Sequence, residues 1–443
     1  MATAVQTLPA NSSAPPRSGL RQALAATINA DENSMVRESN SSGGGSGKSW
    51  MNIFSYGGSS YYRVWGFGQG RRKRPEVILE AEKEVVEDIH SSLDTKGEVS
   101  VTQCDVQVQF DGQKAFVHHL SVESAKAAKE GGVDIVILPG FAAGAVQFLP
   151  NAIKVMKRSN EENVPVRRVL IPDWMGMGLS SRPKWPRNAN TVSKAEDFFL
   201  DSFEQWRKEV GAKDIVLVGH SLGGYLGTAY MLRKHNSNDV RHLVLASPVG
   251  YPEKPPFDPS VKLSFGWKFA RFLWEQGATP QSLARAAGPW SKRLVEKVIN
   301  GRFNSPTMKL EGCTAKEAIL TYMHGITIAK GSGEHSLRQL LNFGAYAKDP
   351  LVNRIAELKS NIPVTFLYGS HDWMDPMGGK IAAENLKKRG HNSPISQHIL
   401  PGAGHHLYVD CPNGFESAIL SAAGAINGFR GQQENMSEAH EHW

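Results

Sequence analysis

Asp214-Ile215-Val216-Leu217-Val218-Gly219-His220-Ser221-Leu222-Gly223-Gly224 is the stretch that decides the fold. The apolar run 215–218 reads as a short buried strand, the glycines as a sharp turn, and the residues after Gly224 as a helix. A serine at the apex of such a turn has a crowded backbone. Glycines two positions before and two after it, Gly219 and Gly223, leave space for the turn and expose the hydroxyl at the top of a sheet. Ser221 is therefore the candidate nucleophile.

Outward from this unit, apolar strand-like runs alternate with helical patterns from Val99 onward. That alternation predicts an α/β fold, with a mostly parallel sheet covered by helices on both faces. The clearest strands are 134–138, 168–171, 215–218, 243–246, 364–368 and 398–400. A helix is expected over 193–210, with Ser193 and Glu196 as a capping box, Phe199, Phe203, Trp206 and Val210 on one face, and Gly211 as the stop.

A serine hydroxyl needs a base to take its proton, and a histidine base needs a carboxylate to fix its tautomer. In this type of sheet the order along the chain is serine, acid, histidine. Asp372 follows the run Val364-Thr-Phe-Leu-Tyr-Gly369, just past a strand's carboxyl end, where open parallel sheets build their sites. Asp375 competes for the role but precedes Pro376 in a turn. His405, in Gly402-Ala403-Gly404-His405-His406, is the candidate base, with His406 as the alternative. For the oxyanion, the Leu222 amide after the nucleophile and the Phe141 amide in Pro139-Gly140-Phe141 are the expected donors. A tight loop over 173–183 borders the site and reads first as purely structural, with Met175 and Met177 as candidates to touch an acyl chain.

The alternation breaks over 252–358, which reads as helical and carries Trp267, Phe269, Phe272, Trp274 and Trp290 among Lys and Arg. Inserted between two core strands, it is expected to be a lid, with an ordinary helical subdomain as the alternative. The expected organisation is a tail over 1–75, a core over 76–251 and 359–430, the lid over 252–358, and a flexible tail over 431–443. Residues 1–60 are rich in Ser, Gly, Ala and Asn and read as disordered, with an organelle transit peptide as the alternative. Residues 50–74 alternate aromatics with glycine and end in Arg71-Arg72-Lys73-Arg74, the composition of an interfacial lipid anchor. A segment packed on the domain, a nuclear-localisation-like run or a solvated linker has the same composition.

The chain has 443 residues, a net charge of +7 and three cysteines, Cys104, Cys313 and Cys411. Scattered cysteines predict a reducing compartment and no zinc site. The longest uncharged stretch, 135–151, is broken by prolines and glycines and falls short of the ~20 residues of a spanning helix.

With these motifs in place, the chain resembles the α/β-hydrolase superfamily and, within it, the abhydrolase-domain 4 and 5 group of lipid enzymes. The resemblance covers about 99–430. It rests on the 173–183 loop, on Gly219-His220-Ser221-Leu222-Gly223-Gly224, on Gly369-Ser370-His371-Asp372-Trp373-Met374-Asp375, and on Gly404-His405-His406-Leu407-Tyr408-Val409-Asp410. Members of that group include N-acylphosphatidylethanolamine lipases, cardiolipin deacylases, lysophosphatidic acid acyltransferases, and a lipase co-activator that lacks the nucleophile. Because Ser221 is present, the resemblance implies an active enzyme.

It also implies an acyltransferase motif in His405 and Asp410, although Asp410 has a plainer role as cap of a final helix from about Gly414. The expected protein is a serine acyl hydrolase on glycerophospholipids, with acyl-CoA as co-substrate of a transfer to lysophosphatidic acid. It needs no cofactor and binds no nucleic acid. Its partner is a membrane or lipid-droplet surface inside the cell, in the cytoplasm or mitochondrion. A lipid-surface scaffold that recruits another lipase and a soluble small-substrate esterase are the rival readings.

Overall fold

The structure, a computed structural model, describes residues 76–94, 96–125, 132–233, 239–255, 264–303 and 310–440. The aromatic and basic segment 50–74 and the tail over 1–75 lie outside them. Eight strands form one sheet: β1 (Val99–Phe110), β2 (Gln113–Ser124), β3 (Val133–Leu138), β4 (Val166–Pro172), β5 (Ile215–His220), β6 (Val240–Ala246), β7 (Val364–Gly369) and β8 (Ile395–Leu400). Their order is β1-β2-β4-β3-β5-β6-β7-β8. The β1–β2 and β2–β4 pairs are antiparallel and the other pairs are parallel.

Strands β3, β5 and β7 are buried along their whole length, as strands covered on both faces must be. Successive side chains point to opposite faces, and the core divides accordingly. Ile135, Ile137, Val169, Ile171, Val216 and Val218 pack with α1 (Glu76–Leu93), α2 (Leu149–Glu161) and the start of the last helix. Val136, Leu138, Leu170, Leu217, Leu243 and Leu245 pack instead with α3 (Val192–Glu209) and α4 (Leu222–Leu232).

The start of α3 departs from expectation. Thr191 is the N-cap, its side chain accepting from the Lys194 amide, and the helix begins one residue early. Glu196 is not part of a capping box. It is buried and held by the Arg354 guanidinium through bonds of 2.6 and 3.1 Å, with the Tyr225 hydroxyl donating at 2.8 Å. A buried carboxylate needs such donors far more than a helix end needs a second cap. Gly211 stops the helix with φ +62°.

Between β6 and β7 the chain forms helices, chiefly α5 (Phe265–Glu275), α6 (Pro280–Ala286), α7 (Ser291–Phe303) and α8 (Lys316–Ile328). α8 packs under α1 so closely that a Cβ at Gly325 would lie 2.6 Å from the Ile78 side chain. After β7 come α9 (Met377–Lys388), β8, a helical turn over Leu407–Asp410, and α10 (Pro412–His440), whose backbone runs past residue 430. No helix among the described residues is long and apolar enough to cross a membrane.

Candidate active site

β3 is flanked by β4 on one side and β5 on the other, so the chain reverses its direction of travel across the sheet at the β3–β5 boundary. A crevice opens where such a reversal occurs. Ser221 sits at the carboxyl end of β5 with φ +52° and ψ −116°, a conformation that side-chain-bearing residues rarely hold. The neighbouring glycines permit it. A Cβ at Gly219 would lie 2.6 Å from the Gly223 carbonyl, and one at Gly223 would lie 2.2 Å from the Leu138 carbonyl.

The loops after β7 and β8 bring two predicted side chains to this serine. His405 Nε2 lies 3.0 Å from Ser221 Oγ, and His405 Nδ1 lies 3.0 Å from Asp372 Oδ1. A carboxylate only accepts, so the imidazole proton sits on Nδ1 and Nε2 is free to accept from the hydroxyl. Burial pushes the Asp372 carboxyl upward, but the hydrogen bond and charge of His405 outweigh it and hold the group below the usual carboxylate range. The two loops are also tied by their backbones. The His371 amide donates to the Ala403 carbonyl at 2.9 Å, and a Cβ at Gly369 would lie 2.2 Å from that same oxygen.

The competing residues lie elsewhere. Asp375 is exposed and accepts from the Met377 amide at 2.9 Å, in the turn before α9. His406 meets the His220 ring at a tilt and the Tyr408 ring edge-on, and it is His405 whose ring nitrogen lies 3.0 Å from the serine hydroxyl. Asp410 does not cap the last helix, which starts at Pro412. Its Oδ2 reaches back to accept from the Gly404 amide at 2.8 Å. An amide left bare beside the base is a stronger attraction for that carboxylate than a helix start already opened by a proline. Asp410 thus braces the residue immediately before His405.

A Cβ at Gly140 would lie 3.1 Å from the Ser221 Cβ, so the Pro139-Gly140-Phe141 loop runs against the serine. Among the described residues, no backbone carbonyl outside regular helix bonding accepts from the Phe141 or Leu222 amide. The 173–183 loop is organised from within. Asp173, fully buried, accepts from the Ala145 and Leu179 amides at 2.9 and 2.7 Å and so joins this loop to the one after β3. Met175 and Met177 are buried, and Met177 also lines a small cavity with Ala142, Arg182 and Gln281.

Two contributors escaped the sequence reading. His220 is buried, with Nε2 2.9 Å from the His405 carbonyl; a carbonyl only accepts, so His220 donates. Burial and the nearby His405 push its pKa down to about 3, keeping it neutral. Ser247, at the end of β6 with φ +47°, is fully buried and helps lower the Asp372 pKa. Its position one residue past a clear strand run is the signal that could have found it. Among the described residues, no group of three or more His, Cys, Asp or Glu side chains is placed to hold a metal ion.

An eight-stranded, largely parallel sheet, with a strained serine after its fifth strand and a histidine after its eighth, defines an α/β hydrolase. The chain belongs to that family: the model of the alpha/beta hydrolase fold matches residues 135–412. It is 36% identical over 301 residues to a 1-acylglycerol-3-phosphate O-acyltransferase of Arabidopsis thaliana, covering 67% of each chain. It is 30% identical over 295 residues to a (lyso)-N-acylphosphatidylethanolamine lipase of Homo sapiens, covering 66% of this chain and 80% of the relative. Among solved structures, a bromoperoxidase from Bacillus anthracis aligns with a TM-score of 0.48 at 16% identity, over 72% of this chain and 99% of that one.

Proposed function

We propose that this protein is a serine acyl hydrolase acting on glycerophospholipids or lysophospholipids, with acyl transfer to lysophosphatidic acid as a second outcome of the same site. The observation that carries the reading is the continuous relay from Ser221 Oγ through His405 to Asp372, with both contacts at 3.0 Å. Ser221 attacks the ester carbonyl as His405 takes its proton, and Asp372 orients and stabilises the imidazolium. The amides of Leu222 and Phe141 hold the oxyanion, and His405 returns the proton to the departing alcohol.

The acyl group then rests on Ser221. Water releases it as a fatty acid; a lysophosphatidic acid hydroxyl, activated by the same His405, takes it as a new ester. With acyl-CoA as donor, the first leaving group is the CoA thiol. The lipid substrate class is supported by the two relatives, one an acyltransferase on a lysophospholipid and the other a phospholipid lipase by name. The helical connection over 252–358 serves as a lid, since exclusion of water decides between the two acceptors. The protein acts as a peripheral protein at a membrane or lipid-droplet surface.

A fluorophosphonate probe tests the reading. Wild type is expected to be labelled and Ser221→Ala to stay unlabelled, with release of fatty acid from a mixed phospholipid extract lost in parallel. An unlabelled wild type refutes the catalytic reading and leaves a lipid-surface scaffold in its place.

A further inference from the structure

α5 carries Phe265, Trp267, Phe269, Phe272, Leu273 and Trp274, yet none of its residues is buried. A helix so rich in large apolar side chains normally buries an apolar stripe against a core. Its inner side packs lightly, Trp267 and Trp274 meeting Phe343 at ring-centroid distances of 5.4 and 6.3 Å. The outer side carries Phe265, Phe269 and Phe272, which at spacings of four and three residues form one stripe. They are 85%, 53% and 54% exposed. A lone exposed phenylalanine needs no explanation, but three in a row on one helix mark a surface that something else covers.

The charges beside the stripe say what covers it. Lys268 and Arg271 lie exposed along its edge. Arg271 pairs with Glu275 at 2.8 Å, and Lys268 has no acidic partner among the described residues. The same pattern recurs at α7, where Trp290, Leu294 and Val298 are exposed beside Arg293 and Lys297. Across 264–275 and 290–299 there are five basic residues and two acidic ones. A second copy meeting the stripe face to face would set these cations against one another. An anionic lipid surface accepts both the rings and the cations. With 11 residues, α5 is about 16 Å long, half the thickness of a bilayer core, so it fits in the plane of the interface rather than across it.

We propose that the outer face of α5 is a docking surface for an anionic phospholipid bilayer, with Phe265, Phe269 and Phe272 entering the acyl boundary and Lys268 and Arg271 meeting the headgroups. The choice of lipid over another partner rests on the phospholipid reading of the site. Docking here attaches the helical connection itself to the surface that holds the substrate, independently of any contribution from 50–74.

Co-sedimentation of the full chain with phosphatidylcholine vesicles, with and without phosphatidylglycerol, tests the assignment. Phe265→Ser/Phe269→Ser/Phe272→Ser is expected to weaken binding to the anionic vesicles by roughly tenfold or more, with the melting temperature and fluorophosphonate labelling in solution unchanged. Lys268→Glu/Arg271→Glu, a pair that leaves every ring in place, is expected to weaken binding to the anionic vesicles and not to the neutral ones. Wild-type vesicle affinity in both variants overturns the proposal. So does a wild-type dimer that the triple variant dissolves without any change in vesicle binding. Should wild type resist labelling while these vesicle differences appear, the catalytic reading falls and the docking surface stands.

Discussion

Asp410 shows how much the geometry of the candidate site depends on residues that do not touch Ser221. Its carboxylate holds the Gly404 amide, His220 holds the His405 carbonyl, and Ser247 faces the carboxyl of Asp372. The backbone at His405 is thus held on both sides, at the amide before it and at its own carbonyl. Displacing a reacting group by about 1 Å can cost a hundredfold in rate. Asp410→Ala should therefore lower ester hydrolysis and acyl transfer together, by about ten- to a hundredfold in kcat/KM. Asp410→Asn, which keeps an acceptor for the amide, should lose less. Both reactions are to be measured on the same preparation. A loss confined to transfer would give Asp410 an acceptor role of its own. Ser221 and His405 were legible in the sequence because each sits in a short glycine-rich turn whose shape is set locally. The roles of His220 and Ser247 were not, because they arise from strands and loops that meet only in the folded sheet.

Among the elements, α3 depends on a residue far along the chain. Arg354 closes the helical connection by binding Glu196, and the Tyr225 hydroxyl from α4 completes the contact. Removing one partner of a buried pair leaves an uncompensated charge and costs about 3–5 kcal/mol. Arg354→Met should therefore lower the urea midpoint markedly, and adding Glu196→Gln should recover much of the loss. If the single variant unfolds at the wild-type midpoint, the pair carries no net stability.

Ser193 and Glu196 match a cap pattern because such patterns are local, whereas the partner Glu196 actually holds lies 158 residues away. The strands β3 to β7 were readable as short apolar runs ending in turns. The hairpin β1–β2 stood out less, since β1 alternates Val with Gln, Thr and Asp and buries only part of its length. The strand expected over 398–400 in fact begins at Ile395: Ile395, Ser396 and Gln397 are only half-buried and mix polar with apolar side chains, so no apolar run marks them.

At the scale of the whole molecule, α1 is bound to the hairpin through His118. Its Nε2 lies 2.8 Å from Glu82 and its Nδ1 2.8 Å from Asp105, with Asp173 and His119 near by. Burial opposes the charge on His118, but Glu82 and Asp105 overcome it and raise the pKa to about 10 from an ordinary 6.5. A raised histidine stabilises the fold fully below its unfolded pKa and loses that contribution as pH climbs through the folded one. Wild type should accordingly lose melting temperature between pH 6.5 and about 10, and His118→Gln should show a flatter profile from a lower starting value. Parallel profiles for the two proteins would remove His118 from the account.

The distance along the chain between the serine and its base has a consequence during biosynthesis. They are separated by 184 residues, and the base follows the last strand. At roughly 5–20 residues per second, a ribosome takes about 10–40 s to add that stretch. Throughout that interval the nascent polypeptide carries Ser221 without the imidazole that faces it in the folded structure. A chain released anywhere short of His405 would carry Ser221 without the imidazole that faces it, so the contact between them cannot form until translation has passed residue 405.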